Sequence, residues 1–339
     1  MSPSCESLPN RDDPPVESPP LGMPGKLILL PALVVVSLVL TVVVIGWLTL
    51  SPGDVDSMVD ALEKGGNRRW RAAVNLAGVL REPGGAGLKR DPVLAARLME
   101  ILEREIESGG TREDEITLRM YLCRALGEFH LVEPLPALIE AATTERDPRE
   151  VDVRRSAIEA IAVLASNVGP SRLRSRAELI SALRGAAEDA RPPLRSAAAF
   201  TLGVIGGPEA ETELAALLAD AYPDVRYNAA TGLARHGNAK AVDVLLEMLD
   251  PNETAGVDVE KQEPARDFKR AVILVNALRA AGQLAAANPS ADWSRLERAI
   301  ERLAGAEVDG AVRAQAVEIL HRLRGRGPKV DVDGRQALP

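Results

Sequence analysis

The chain has 339 residues, is 46% hydrophobic yet only 3% aromatic, and carries a net charge of −8 at neutral pH. Apolar content held mostly in Ala, Leu, Val and Ile favours closely packed helices over a β-sandwich, which draws on aromatic and β-branched strands. The acidic balance argues against a generic nucleic-acid binder, which needs a basic footprint, and the two cysteines, Cys5 and Cys123, give neither a disulfide framework nor a metal-thiolate spacing.

Residues 1–25 hold seven prolines. Proline removes backbone donors and the segment has little to bury, so a disordered tail is expected. Leu27 to Leu50 is uncharged for 24 residues, 17 of them Leu, Ile or Val. At 1.5 Å per residue such a run spans about 36 Å, enough to cross a hydrocarbon core of about 30 Å with some tilt. The expected element is one transmembrane helix over 26–50, making the protein a single-pass membrane protein. A cleaved signal peptide fits less well, because its apolar core is shorter and ends in a small-x-small site. Lys26 lies before the span and Lys64, Arg68 and Arg69 lie after it. The reading taken is an N-terminus inside, with residues 54–325 outside the cytoplasm.

Beyond residue 52 a pattern recurs around a basic residue. An apolar residue stands at −1, small or apolar residues at +3 and +4, and another apolar residue at +7. Positions −1, +3 and +7 share one face of a helix. The clearest copy is Val225-Arg226 with Ala229, Ala230 and Leu233, preceded by Asp224. The frame also fits Arg119, Arg154, Arg195 and Arg313, with weaker copies at Arg69 and Lys269. The anchors are separated by 50, 35, 41, 31, 43 and 44 residues, a mean of about 41, inside the range of two-helix repeats. Companion helices are expected before each anchor: Asp54 to Leu62, Pro92 to Ile106, Leu135 to Ala141, Arg176 to Ala187, Pro208 to Ala219, Ala239 to Leu249 and Asp292 to Leu303. Glu82 to Asp91 reads as a Gly-rich loop, Pro251 to Asp267 as an insertion, and 326–339 as a flexible C-terminal tail.

With these residues in view, the chain resembles the HEAT-repeat family, in particular its bacterial HEAT-like branch with phycobilisome-lyase-type repeats. The best match runs from Gly206-Gly207-Pro208 through Arg226 to Gly237. The resemblance implies an all-α fold, a HEAT-like α-solenoid of about seven helical pairs over 54–325, preceded by the transmembrane helix. It also implies that the second helices line a concave side. It does not specify an activity, since such arrays hold many unrelated partners.

Asp224 is expected to cap its helix, and the arginines Arg119, Arg154, Arg195, Arg226 and Arg313 to pair each with an aspartate of a neighbouring repeat, forming a ladder. Positions +1 and +5 avoid the packing face. They make Tyr227, Phe200, Arg155, Glu159 and Arg124 the candidate partner-binding residues, because aromatic and Arg side chains dominate interfaces. The alternative is that they fill gaps between helices. His130, His236 and His321 lack companions at ligand spacing, and no Walker, GxGxxG or GxSxG motif is present. No catalytic residue, cofactor or metal is assigned. The expected function is a membrane-anchored scaffold or adaptor, held through 27–50, that binds a protein partner and no nucleic acid. Two alternatives stay open: an accessory to enzyme chemistry resembling the HEAT-like bilin lyases, and nucleic-acid binding through a local basic patch.

Overall fold

Proline marks where helices begin along this chain. Its fixed φ suits the first turn and its missing N–H is not needed there. Pro52, Pro92, Pro192, Pro208 and Pro223 each open a helix. The computed structural model describes residues 52–325 apart from 65, 67, 68 and 259. The chain divides at Asp54 into two units, and the helices lie in the second, residues 55–339, save the opening residues of the first helix.

Among the described residues there are fourteen α-helices and no strand. They follow as seven pairs: α1 (Pro52–Glu63) and α2 (Arg69–Arg81), α3 (Pro92–Ser108) and α4 (Glu113–Gly127), α5 (Leu135–Thr143) and α6 (Val151–Val168), α7 (Ala177–Ala187) and α8 (Pro192–Ile205), α9 (Pro208–Leu217) and α10 (Pro223–Arg235), α11 (Val242–Met248) and α12 (Glu263–Ala287), and α13 (Ser294–Ala304) and α14 (Gly310–Arg324). The even-numbered helices pack each against the next from α2 to α14. The odd-numbered helices α3, α5, α7 and α9 form a second row, as do α11 and α13. This is a two-layer helical solenoid, in which each pair buries its apolar face only against its neighbours. The Gly-rich 82–91 segment forms two short 3-10 turns, Pro83–Ala86 and Leu88–Arg90.

The recurring frame places the core. Leu122, Cys123 and Leu126 are fully buried, as are Ala157, Ile158 and Ile161, Ala198, Ala199 and Leu202, and Ala229, Ala230 and Leu233. Small residues at +3 and +4 let adjacent even-numbered helices come close. The extreme case is Gly203 of α8 against Gly232 of α10: a Cβ added to Gly203 would lie 2.7 Å from the Gly232 Cα. Only glycine fits at such a backbone contact. Burial also pushes the Cys123 thiol up to about 12, so this residue is a small apolar filler and not a reactive thiol.

Three expectations change. The frame drawn around Lys269 is displaced: Phe268 and Val272 are exposed, whereas Leu274, Ala277, Leu278 and Ala281 are buried. The packed register of α12 therefore sits five residues later, on a leucine. The reason is rotational: at 3.6 residues per turn, Phe268 and Val272 lie on the far side of α12 from the stripe of Leu274, Ala277, Leu278 and Ala281. The insertion accordingly ends at Gln262, since α12 starts at Glu263. At the other end, Val317 (+4 of the Arg313 copy) is exposed, because no described helix follows α14. Among the described residues no helix is long and apolar enough to cross a membrane, and the 26–50 segment lies outside them, as do the 1–25 and 326–339 tails.

Candidate protein-binding groove

The repeated arginines define what the loops are for. Arg195 donates to both carboxylate oxygens of Asp220 (2.6 and 3.0 Å) and to the backbone carbonyls of Asp189 and Ala190 (2.9 and 3.1 Å). Arg226 donates to the carbonyls of Asp220 and Ala221 (2.8 and 3.2 Å) and pairs with Glu247. Arg154 reaches the Ala142 carbonyl at 3.0 Å and the carboxylates of Glu145 and Asp189. Arg119 pairs with Glu150 at 2.7 Å and with the Gly110 carbonyl. Arg69 does the same with the Leu62 carbonyl and Glu105, both at 2.6 Å. Each arginine thus ties the end of its own first helix to an acidic residue of the next pair. The last rung is Arg226–Glu247; Lys269 bonds back to Asp224, and Arg313 is exposed and makes no ion pair among the described residues.

The acidic rungs are held ionised. A hydrogen bond from Arg191 keeps Asp189 far below the usual carboxylate range, with Arg154 adding to it. Burial pushes Asp220 and Glu150 up. Bonds from Arg195 and the Tyr222 N–H at Asp220, and from the Arg146 N–H and Arg119 at Glu150, outweigh burial and leave both below their ordinary values.

Asp224 does not cap its helix. Pro223 occupies the first turn of α10, so Asp224 lies inside the helix and instead pairs with Lys269 at 3.2 Å. The residue that organises this loop is Asp220, whose carboxylate accepts the Tyr222 N–H at 2.8 Å. Asp189 accepts the Arg191 N–H at 2.9 Å in the same way. These two loops share a string, Asp-Ala-x-Pro-x-apolar-Arg, at 189–195 and 220–226. That string is the signal that would have revealed Asp220, Asp189 and Tyr222 from the sequence.

Three neighbouring even-numbered helices, α6, α8 and α10, enclose a groove of about 550 Å³. Arg155, Glu159 and Val163 come from α6, Phe200 from α8, Tyr222 from the loop before α10, and Lys269 from α12. Ala255 and Gly256 of the 250–262 loop form one end. Of the candidates read from the sequence, Phe200, Arg155 and Glu159 therefore meet in one place. Arg124 does not: its guanidinium stacks on Tyr121 at 4.8 Å, in α4. Tyr227 is a core residue, 5% exposed, with its hydroxyl donating to Glu247 at 3.0 Å. Gly256 folds the loop down over its ring, leaving no room for a Cβ. The exposed aromatic of this repeat is Tyr222, at 52%.

Apolar exposure is concentrated on this face. Val163, Phe200, Tyr222, Phe268 and Val272 are exposed large apolar residues on even-numbered helices or at their starts; Val317 is exposed at the end of the described array and Val93 stands on α3. Among the described residues no three His, Cys, Asp or Glu side chains are arranged to hold a metal ion.

The paired helices, their loops and the arginine ladder are thus most regular between α7 and α11. Residues 176–257 match the family model for HEAT repeats. No curated protein matches the chain. Among solved structures, the chain is similar to the X-ray structure of YibA from E. coli at 16% identity, over 81% of this chain and 93% of that one, with a TM-score of 0.44. It is similar to human deoxyhypusine hydroxylase in complex with glycerol at 20% identity, over 80% and 96% respectively, with a TM-score of 0.31. An engineered protein matches at 17% identity over 81% and 98%, with a TM-score of 0.36.

Proposed function

We propose that the protein is a membrane-tethered, non-enzymatic scaffold whose HEAT-type solenoid holds a protein partner on the even-numbered helix face. The observation that carries this reading is the groove itself: exposed Val163, Phe200 and Tyr222, from successive pairs, line one cleft of about 550 Å³. Exposed apolar side chains that cluster mark contact surfaces, whereas scattered ones need no explanation. Aromatic side chains near the centre of such a patch are the usual source of binding energy. The tether rests on the uncharged 27–50 run, and the extracytoplasmic placement of the solenoid rests on Lys26 preceding it.

Site-specific photo-crosslinking tests both parts in sealed membrane vesicles carrying the full chain. A benzoylphenylalanine at Val163, in the groove, is expected to give a discrete crosslink to a second protein. The same probe at Ser181, exposed on α7, is expected to give none. The protein should stay in the membrane after carbonate washing. Equal crosslinking from both positions contradicts the groove as the docking face, and release by carbonate contradicts the tether.

A further inference from the structure

The groove's charges are unevenly matched. Arg155 is paired with Asp152 at 3.1 Å and Lys269 with Asp224 at 3.2 Å. Glu159 lines the same groove and has no hydrogen bond or ion pair among the described residues. With Arg155 and Lys269 each held by its own carboxylate, Glu159 is the unpaired charge of the groove, which favours a ligand that brings a positive charge to it.

The aromatic wall is held in place by the ladder. Arg195 lies over one face of the Tyr222 ring, 5.4 Å from its centroid, and is itself fixed by both oxygens of Asp220. Tyr222 is extended, between its bond to Asp220 and Pro223. Its hydroxyl makes no bond among the described residues, leaving a donor at the groove. The Asn228 amide is already committed to Ser196, at 2.9 Å to the hydroxyl. Pro192, Pro193 and Pro223 add rigid walls. Beyond its paired charges, the groove thus offers rings, aliphatic surface, one free hydroxyl donor and one unpaired carboxylate.

We infer that the groove takes an extended, proline-bearing segment of the partner, with an arginine or lysine seated against Glu159; this rests on the scaffold reading above. Three even-numbered helices spaced at about 8–10 Å give a groove roughly 20 Å long. A polyproline-type strand at about 3.1 Å per residue crosses in about six or seven residues. It arrives already extended, so little conformational entropy is lost, and aromatic-lined grooves suit its faces.

The test is selection of displayed random peptides of about twelve residues on the full chain in lipid nanodiscs. Four forms are compared: wild type, Glu159→Arg, Phe200→Ala with Tyr222→Ala, and Ser181→Arg as a distant charge control. Thermal unfolding of each shows that it is folded. Wild type and Ser181→Arg are expected to enrich the same peptides, containing proline and one basic residue. Glu159→Arg is expected to bind them at least about tenfold more weakly and to select an acidic residue at the basic position. Enriched peptides that lack a basic residue, or that bind Glu159→Arg as well as wild type, overturn this inference. If those peptides still lose binding in the Phe200→Ala, Tyr222→Ala form, the scaffold reading stands. Peptides indifferent to that double substitution count against both, and no enrichment over empty nanodiscs overturns the inference.

Discussion

Glu150 is the most enclosed carboxylate of the ladder: its side chain and that of Arg119 are each 2% exposed. One oxygen takes the Arg119 guanidinium, and the other accepts the N–H groups of Arg146 at 2.7 Å and Asp147 at 3.3 Å. A buried pair contributes modestly against an apolar substitute, but losing one partner leaves the other charge uncompensated, at about 3–5 kcal/mol. Glu150→Gln is therefore expected to lower stability by about that amount at pH 7, since its amide can accept from the two backbone N–H groups or from Arg119 but sets N–H donors against the other. The carboxyl's folded pKa lies below its unfolded value, so its contribution is present above the unfolded pKa and is lost as pH falls through the folded one. The gap between wild type and variant, read by denaturant unfolding, should be full at pH 6–7 and narrow below about pH 4.5. A gap near zero at pH 7, or one that widens on acidification, contradicts this account of the rung.

At the scale of the helix, the tightest contact is α8 against α10. Alanine improves intrinsic helix propensity over glycine by about 1 kcal/mol. At Gly203 the added methyl meets the Gly232 backbone at 2.7 Å, and overpacking of this kind costs about 1–3 kcal/mol. Gly203→Ala is expected to be net destabilising, whereas Gly185→Ala in α7, where nothing lies within 4 Å, should be neutral or stabilising. A Gly203→Ala variant as stable as wild type in thermal unfolding would show that the even-numbered helices are not this close.

The same contrast explains what the sequence could reveal about the fold. Positions −1, +3, +4 and +7 around Arg119, Arg154, Arg195 and Arg226 are dictated by a four-residue face period, and burial follows that period. The copy at Lys269 mimics the period with Phe268, Val272 and Ile273, but α12 packs a different face, the stripe of Leu274, Ala277, Leu278 and Ala281. Two overlapping apolar periods on one long helix cannot be ranked without its neighbour. Tyr227 at +1 follows the gap-filling alternative: the 250–262 loop covers it, and no local pattern records a loop that folds back. Tyr222 was legible only by comparing whole loops, because its position depends on Asp220 and Pro223 and not on helical spacing.

Across the whole solenoid the two layers divide their work. The arginine ladder ties successive loops from Arg69 to Glu247, so nearest-neighbour interfaces set stability. The even-numbered face is left with exposed apolar residues that the ladder does not use. Phe200 and Tyr222 belong to this free face, whereas Tyr227 belongs to the core. The direct measurement is thermal unfolding together with crosslinking yield from a probe at Val163, in Phe200→Ala with Tyr222→Ala and, separately, in Tyr227→Ala. The double variant is expected to stay within about 0.5 kcal/mol of wild type per exposed site and to lose the crosslink. Tyr227→Ala is expected to lose about 3–5 kcal/mol, as for large buried aromatics. A double variant that unfolds as early as Tyr227→Ala, or that crosslinks as well as wild type, would contradict the account.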